Sequence, residues 1–162
     1  MRNILLAALV LFLAATEAAA TQQVYIRGLF GMVFSPGIKE LAAINKQKHI
    51  CWCNARKVTK ELAAKKKPVV IVGHSLGADQ ALIMAKNLKA KGVPVKLVVV
   101  YDATRKFDMK GIPTVNFRSR DFRAKDVQNA KNIYRPDLDH IDVTTDPEVR
   151  AKTLRLLVQA LD

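Results

Sequence analysis

The sequence predicts an α/β fold: a three-layer, doubly wound parallel sheet of about five strands with helices on both faces. Three observations carry this. Short β-branched or apolar runs alternate with helical stretches about five times along the chain, which is the pattern of successive β–α units. Two of the runs, Val69–Val72 and Val95–Tyr101, are almost wholly apolar, as strands covered on both faces must be. Finally, 162 residues, half of them hydrophobic, support one core and not two. No internal repeat, low-complexity tract or interdomain linker interrupts them.

Residues 1–20 read as a signal peptide ahead of a single domain at 21–162. Arg2 supplies the basic start, Ile4–Ala15 the apolar stretch and Ala18-Ala19-Ala20 a small-residue cleavage site. The apolar stretch is too short for a membrane span, so the expected location is periplasmic or secreted. Val24–Arg27 is the first strand. Ser35 is a candidate N-cap and Pro36 a first helical residue, opening a helix to Lys48 with Ile38, Leu41 and Ala42 on its apolar stripe. His49–Cys53 reads as a strand. Asn54 can cap a helix over 55–66 with Val58, Leu62 and Ala63 inward. Pro68 breaks it and Val69–Val72 follows. Gly92 and Pro94 end the next helix, Val95–Tyr101 is the most apolar strand and Ile112–Phe117 a weaker one. Residues 118–139 look charged and irregular. Asp146 and Pro147 then open a last helix with Ala151, Leu154, Leu157, Val158 and Leu161 on one side.

Function is concentrated in Gly73-His74-Ser75-Leu76-Gly77. This G-x-S-x-G stands between a β-branched strand and an alanine-rich helix, the setting of a nucleophile elbow. Glycines two residues either side of Ser75 let the backbone pass close to itself. The turn lifts the hydroxyl above the sheet edge, beside free N–H groups at a helix start. The segment Val-Gly-His-Ser-Leu-Gly-Ala-Asp resembles the elbow of lipase-like and thioesterase-like α/β-hydrolases, and the likeness extends from Tyr25 to the last helix. The resemblance implies acyl transfer to serine on a trimmed α/β-hydrolase fold lacking two leading strands and a lid domain. It also implies a second oxyanion donor after the first strand, where Leu29 is the matching N–H and Phe30 the alternative.

A catalytic serine needs a base. Of the three histidines, His49 precedes the serine, His74 adjoins it and is expected to point away, and His140 lies between the last strand and last helix, where this fold places its base. Asp102, ending the most apolar strand, is the preferred acid and Asp121 its rival. The expected site is thus Ser75, His140 and Asp102, with the N–H groups of Leu76 and Leu29. Asp79 reads as a first-turn residue favoured by the helix dipole. The implied chemistry is hydrolysis of a carboxylic ester or thioester of a small or lipid-like acyl substrate, with no cofactor and no metal. The alternatives are an acyltransferase using the same residues, or a non-catalytic binding protein on a hydrolase scaffold.

The net charge of +13 would attract anionic surfaces weakly. The lysines are scattered on helices with few aromatics between them, so specific nucleic-acid binding is not expected. Cys51 and Cys53, if both in a strand, have Cα atoms about 7 Å apart, at the limit for a disulfide. A disulfide between them would need a local turn, and buried or half-buried strand cysteines are the expectation. His49-x-Cys51-x-Cys53 lacks the spacing of a structural zinc site.

Overall fold

The computed structural model describes residues 20–162; the expected signal segment, Ala20 excepted, lies outside them. The elements are β1 (Gln22–Arg27), α1 (Gly31–Phe34), α2 (Pro36–Ile44), β2 (His49–Cys51), α3 (Ala55–Lys65), β3 (Val69–His74), α4 (Leu76–Ala90), β4 (Val95–Tyr101), β5 (Thr114–Ser119), β6 (Lys131–Arg135), α5 (Asp142–Thr145) and α6 (Pro147–Leu161). All the strands pair in parallel, in the order β2-β1-β3-β4-β5-β6. The chain thus reverses its winding between β1 and β3, and the C-terminal ends of those two strands flank the crevice where such sheets bind ligands.

Alternation along β3 builds the layers. Val69 and Ile71 join a core with Ala55 and Leu62 of α3 and Ala78, Leu82 and Ala85 of α4. Val70 and Val72 face the opposite core, with Ile38 and Leu41 of α2, Val143 of α5 and Leu157 of α6. Period-two side chains on a strand buried on both faces require this result. All six β3 residues are buried. The expected three-layer α/β fold is therefore the one observed, with six strands rather than five.

The additional strand is β6, inside the segment expected to be irregular. It lies at the sheet edge, and no residue of it is fully buried. Two helix stripes also shift. In α6 the buried residues are Val149, Thr153 and Leu157, and Val158 is exposed. Thr153 turns inward because its hydroxyl hydrogen-bonds the buried Tyr101 hydroxyl at 2.7 Å. In α3, Ala55 and Thr59 accompany Leu62. Asp146 caps α6, accepting from the Val149 N–H at 2.9 Å. Asn54 makes no such side-chain bond to α3.

The cysteines correct the sequence reading. The strand stops at Cys51, and Trp52–Asn54 forms a turn of 3-10 helix. That turn shortens the Cα–Cα distance to 5.2 Å and the two cysteines form a disulfide, within the span a disulfide bridges.

Candidate active site

Ser75 sits where β3 ends and α4 begins, at φ 58° and ψ −126°. A non-glycine residue rarely holds positive φ, and such strain persists only where the surroundings impose it. Here the Ser75 N–H donates to the Tyr101 carbonyl at 2.9 Å, and the Ser75 carbonyl accepts from the Asp79 N–H at 3.1 Å to start α4. The flanking glycines are steric requirements. A Cβ on Gly73 would strike the Gly77 carbonyl, and one on Gly77 would strike the backbone of Ile26 and Arg27 in β1. The elbow can therefore close on itself and press against β1 only with glycine at both positions.

Asp102 follows β4, also at positive φ (50°), and is fully buried. One carboxylate oxygen accepts the Ser119 N–H at 2.7 Å, and the other accepts the Ser119 hydroxyl at 2.6 Å. The second oxygen also accepts from His140 Nδ1 at 2.8 Å. A carboxylate can only accept, so His140 carries a proton on Nδ1, and its Nε2 has no hydrogen-bond partner among the described residues. His140 and Ser75 line the same cavity of about 670 Å³, together with Leu29, Phe30, Phe34 and Phe122. The Ser75 hydroxyl has no hydrogen bond among the described residues.

Asp121, the rival acid, lies 3.7 Å from the same imidazole nitrogen. Its oxygens are taken by Arg123, with Nη2 at 2.6 Å and Nε at 3.0 Å. The Arg123 side-chain hydrogen bonds hold its carboxyl low, at about 2. The structure thus brings Asp102, and not Asp121, into hydrogen-bonding contact with His140. His49 lies on edge strand β2, paired in register with Tyr25 and away from this cluster.

Of the expected oxyanion donors, Leu76 is the first residue of α4, where a helix leaves its N–H groups unpaired. Neither the Leu76 nor the Leu29 N–H has an acceptor among the described residues. The Gly28–Phe30 loop abuts the elbow: a Cβ on Gly28 would lie 2.9 Å from the His74 carbonyl oxygen and 3.0 Å from Ser75 Cβ. Phe30, at φ 48°, turns the chain into α1.

Three further residues shape the site beyond what the sequence reading gave them. Ser119 fixes both oxygens of Asp102 and accepts the Asp121 N–H at 3.1 Å. Asp79, buried in the first turn of α4, accepts from the Thr104 N–H (2.9 Å) and hydroxyl (2.6 Å), and from the Arg105 N–H (3.3 Å) and Nε (3.1 Å). It pins the loop after β4 as well as complementing the helix dipole. His74 is fully buried and faces inward: Nδ1 lies 2.8 Å from Ser35 Oγ and Nε2 2.9 Å from the His140 carbonyl oxygen. Ser35 therefore spends its hydroxyl on His74 and makes no cap bond to α2. The alternation of β3 with the elbow held the clue to His74, since a strand buried on both faces gives a polar residue nowhere to go but a partner.

His74, Asp102 and His140 bring potential ligand atoms within 4.8 Å of one another. Both nitrogens of His74, Nδ1 of His140 and both oxygens of Asp102 already have protein partners. The cluster is a hydrogen-bond network.

Comparison with known proteins is consistent with this geometry. Residues 40–116 match the thioesterase domain family, a span that includes Ser75 and Asp102 but stops short of His140. No curated protein matches the sequence. Among solved structures, the chain is similar to a putative hydrolase of the alpha/beta superfamily from Xanthomonas campestris pv. campestris. The TM-score is 0.56 at 12% identity, covering 88% of this chain and 99% of that one. It is also similar to the Vlm2 thioesterase domain bound with a dodecadepsipeptide, with a TM-score of 0.51 at 14% identity, covering 89% of this chain and 94% of that one. At such identities the shared property is the α/β-hydrolase-like fold.

Proposed function

We propose that this protein is a serine hydrolase that cleaves carboxylic esters or thioesters of a lipid-like acyl group through Ser75, His140 and Asp102. One observation carries the reading: a serine held at positive φ on a strand-to-helix turn shares its cavity with a histidine whose Nδ1 is bonded to a buried carboxylate. In this mechanism His140 Nε2 accepts the Ser75 proton as the oxygen attacks the carbonyl. The tetrahedral oxyanion is held by the N–H groups of Leu76 and Leu29, each such donor contributing ~3–4 kcal/mol. His140 returns the proton to the leaving alcohol or thiol, leaving an acyl-Ser75. Water, deprotonated by the same nitrogen, then releases the acid. Asp102 holds the imidazole's orientation and stabilises its cation.

Leu29, Phe30, Phe34 and Phe122 give the cavity an apolar lining, which suits an acyl chain, since burial of apolar surface drives its binding. The thioesterase-family match supports a thioester among the substrates. Export to the periplasm or beyond is part of this proposal. The Cys51–Cys53 disulfide supports it, because disulfides persist in oxidising compartments.

The test is hydrolysis of nitrophenyl esters and acyl thioesters of increasing chain length by residues 21–162. Turnover that rises with chain length and vanishes in Ser75→Ala is expected. Folded protein without turnover on either series would contradict the proposal.

A further inference from the structure

We infer that His74 is a positioning residue that locks the base-bearing loop and the oxyanion loop into register around Ser75. The inference rests on the hydrolase reading above and adds to it a residue that touches no substrate.

Donors, acceptors and burial determine its state. The His140 carbonyl can only accept, so His74 must carry a proton on Nε2 to make the 2.9 Å contact. A neutral ring with Nε2–H has a bare Nδ1, which can only accept. The Ser35 hydroxyl, 2.8 Å away, therefore donates to it. With its proton committed, Ser35 Oγ accepts, and the Gly28 N–H reaches it at 3.3 Å. One polar chain results: Gly28 N–H to Ser35 Oγ–H to His74 Nδ1, then His74 Nε2–H to the His140 carbonyl. The other neutral tautomer would set two acceptors against each other at His140. A cationic ring could donate at both ends, to Ser35 Oγ and to the His140 carbonyl, so it is burial that selects the neutral form. Burial favours the neutral ring: desolvation first, with the neighbouring His140 charge second, lowers its pKa to about 3.

The consequence is geometric. Gly28 precedes Leu29, whose N–H the proposed mechanism assigns to the oxyanion, and His140 is the base of that mechanism. Both are tethered to the residue directly before the nucleophile. The His74 and His140 rings lie 4.5 Å apart between centroids, so a displaced His74 shifts the base. A displacement of about 1 Å in a reacting group can cost about 100-fold in rate.

The relay is tested first by long-range proton–nitrogen NMR on histidine-labelled protein at neutral pH. Expected are His74 protonated on Nε2 alone and His140 on Nδ1 alone. A His74 protonated on Nδ1, or averaging between tautomers, overturns the relay whether or not the protein is an enzyme. The second arm is the rate of Ser75 modification by a fluorophosphonate. His74→Leu is expected to slow it about 100-fold, and Ser35→Ala about tenfold, the weight of one hydrogen bond. The double variant should be no slower than His74→Leu, because residues acting through one network do not add. His74→Gln, whose amide can still donate to the His140 carbonyl, should recover part of the rate. Wild-type labelling in His74→Leu, or fully additive losses, overturns the positioning role. Unreactive wild-type Ser75 with the expected tautomers would overturn the hydrolase reading and with it the catalytic role, leaving His74 a strut of the fold.

Discussion

On the sheet side of Ser75, polar groups are buried and paired; on the mouth side, apolar groups face water. Asp102, Ser119 and His74 are fully buried, and each makes at least two hydrogen bonds. Phe30 and Phe122, across the cavity, are 69% and 86% exposed. A buried polar group left unpaired costs about 1–3 kcal/mol, so the sheet side tolerates one arrangement. An exposed phenylalanine pays no such penalty for moving. The contrast separates two properties: the orientation of His140 is fixed by buried partners, and, under the proposed function, the choice of acyl chain is left to the mouth.

Substitutions that break this division should do so in order of size. Asp102→Asn removes the carboxylate that selects the His140 tautomer and should lower kcat about 10⁴-fold. Asp121→Asn, at a carboxylate already neutralised by Arg123, should cost less than about tenfold. Steady-state kinetics of the two variants on one ester decides between the carboxylates, and equal losses would erase the distinction drawn here. On the mouth side, Phe30→Ala and Phe122→Ala should each raise KM about tenfold for a long acyl ester and leave acetyl ester kcat unchanged. A matching fall in kcat on the short ester would show that the mouth also serves the chemistry.

A further effect is on stability. Buried neutral His74 binds no proton in the folded state until pH falls to about 3, whereas the unfolded residue protonates near 6.5. The unfolded state thus holds more protons between those values, and stability falls as pH drops from about 6.5 toward 3. His140, Arg123 and Asp121 are the charged groups acting on it. Asp121, held at about 2, adds a further loss only below its ordinary 3.8. Urea midpoints from pH 7 to 4 should therefore decline more steeply for the native protein than for His74→Leu; parallel slopes would mean His74 is not kept neutral.

The readable parts of the sequence were those with one physical demand. Val69–Val72 and Val95–Tyr101 had to be doubly covered strands, and a serine between two glycines at a strand end had to be a tight turn. The unreadable parts answered to two. Lys131–Arg135 pairs on one edge and packs only Ile133 against the core, so it shows no hydrophobic period. Ser35 looks like a cap because it precedes Pro36, but a buried histidine distant in sequence claims its hydroxyl. Cys51 and Cys53 stand at the limit for a disulfide if the strand runs to Cys53, but it ends at Cys51 in a 3-10 turn that brings them together. Asp102 is preferred over Asp121 from the quality of the strand before it, the arginines flanking Asp121 and the placement the family resemblance implies; Ser119, which anchors it, carries no signal because a serine ending a strand is unremarkable in sequence.

The most direct test of the central claim is the mass of the protein after treatment with a fluorophosphonate. One adduct is expected, located on the peptide containing Ser75, absent in Ser75→Ala and strongly slowed in His140→Ala. A folded protein that stays unmodified, or is modified equally well without His140, would contradict it.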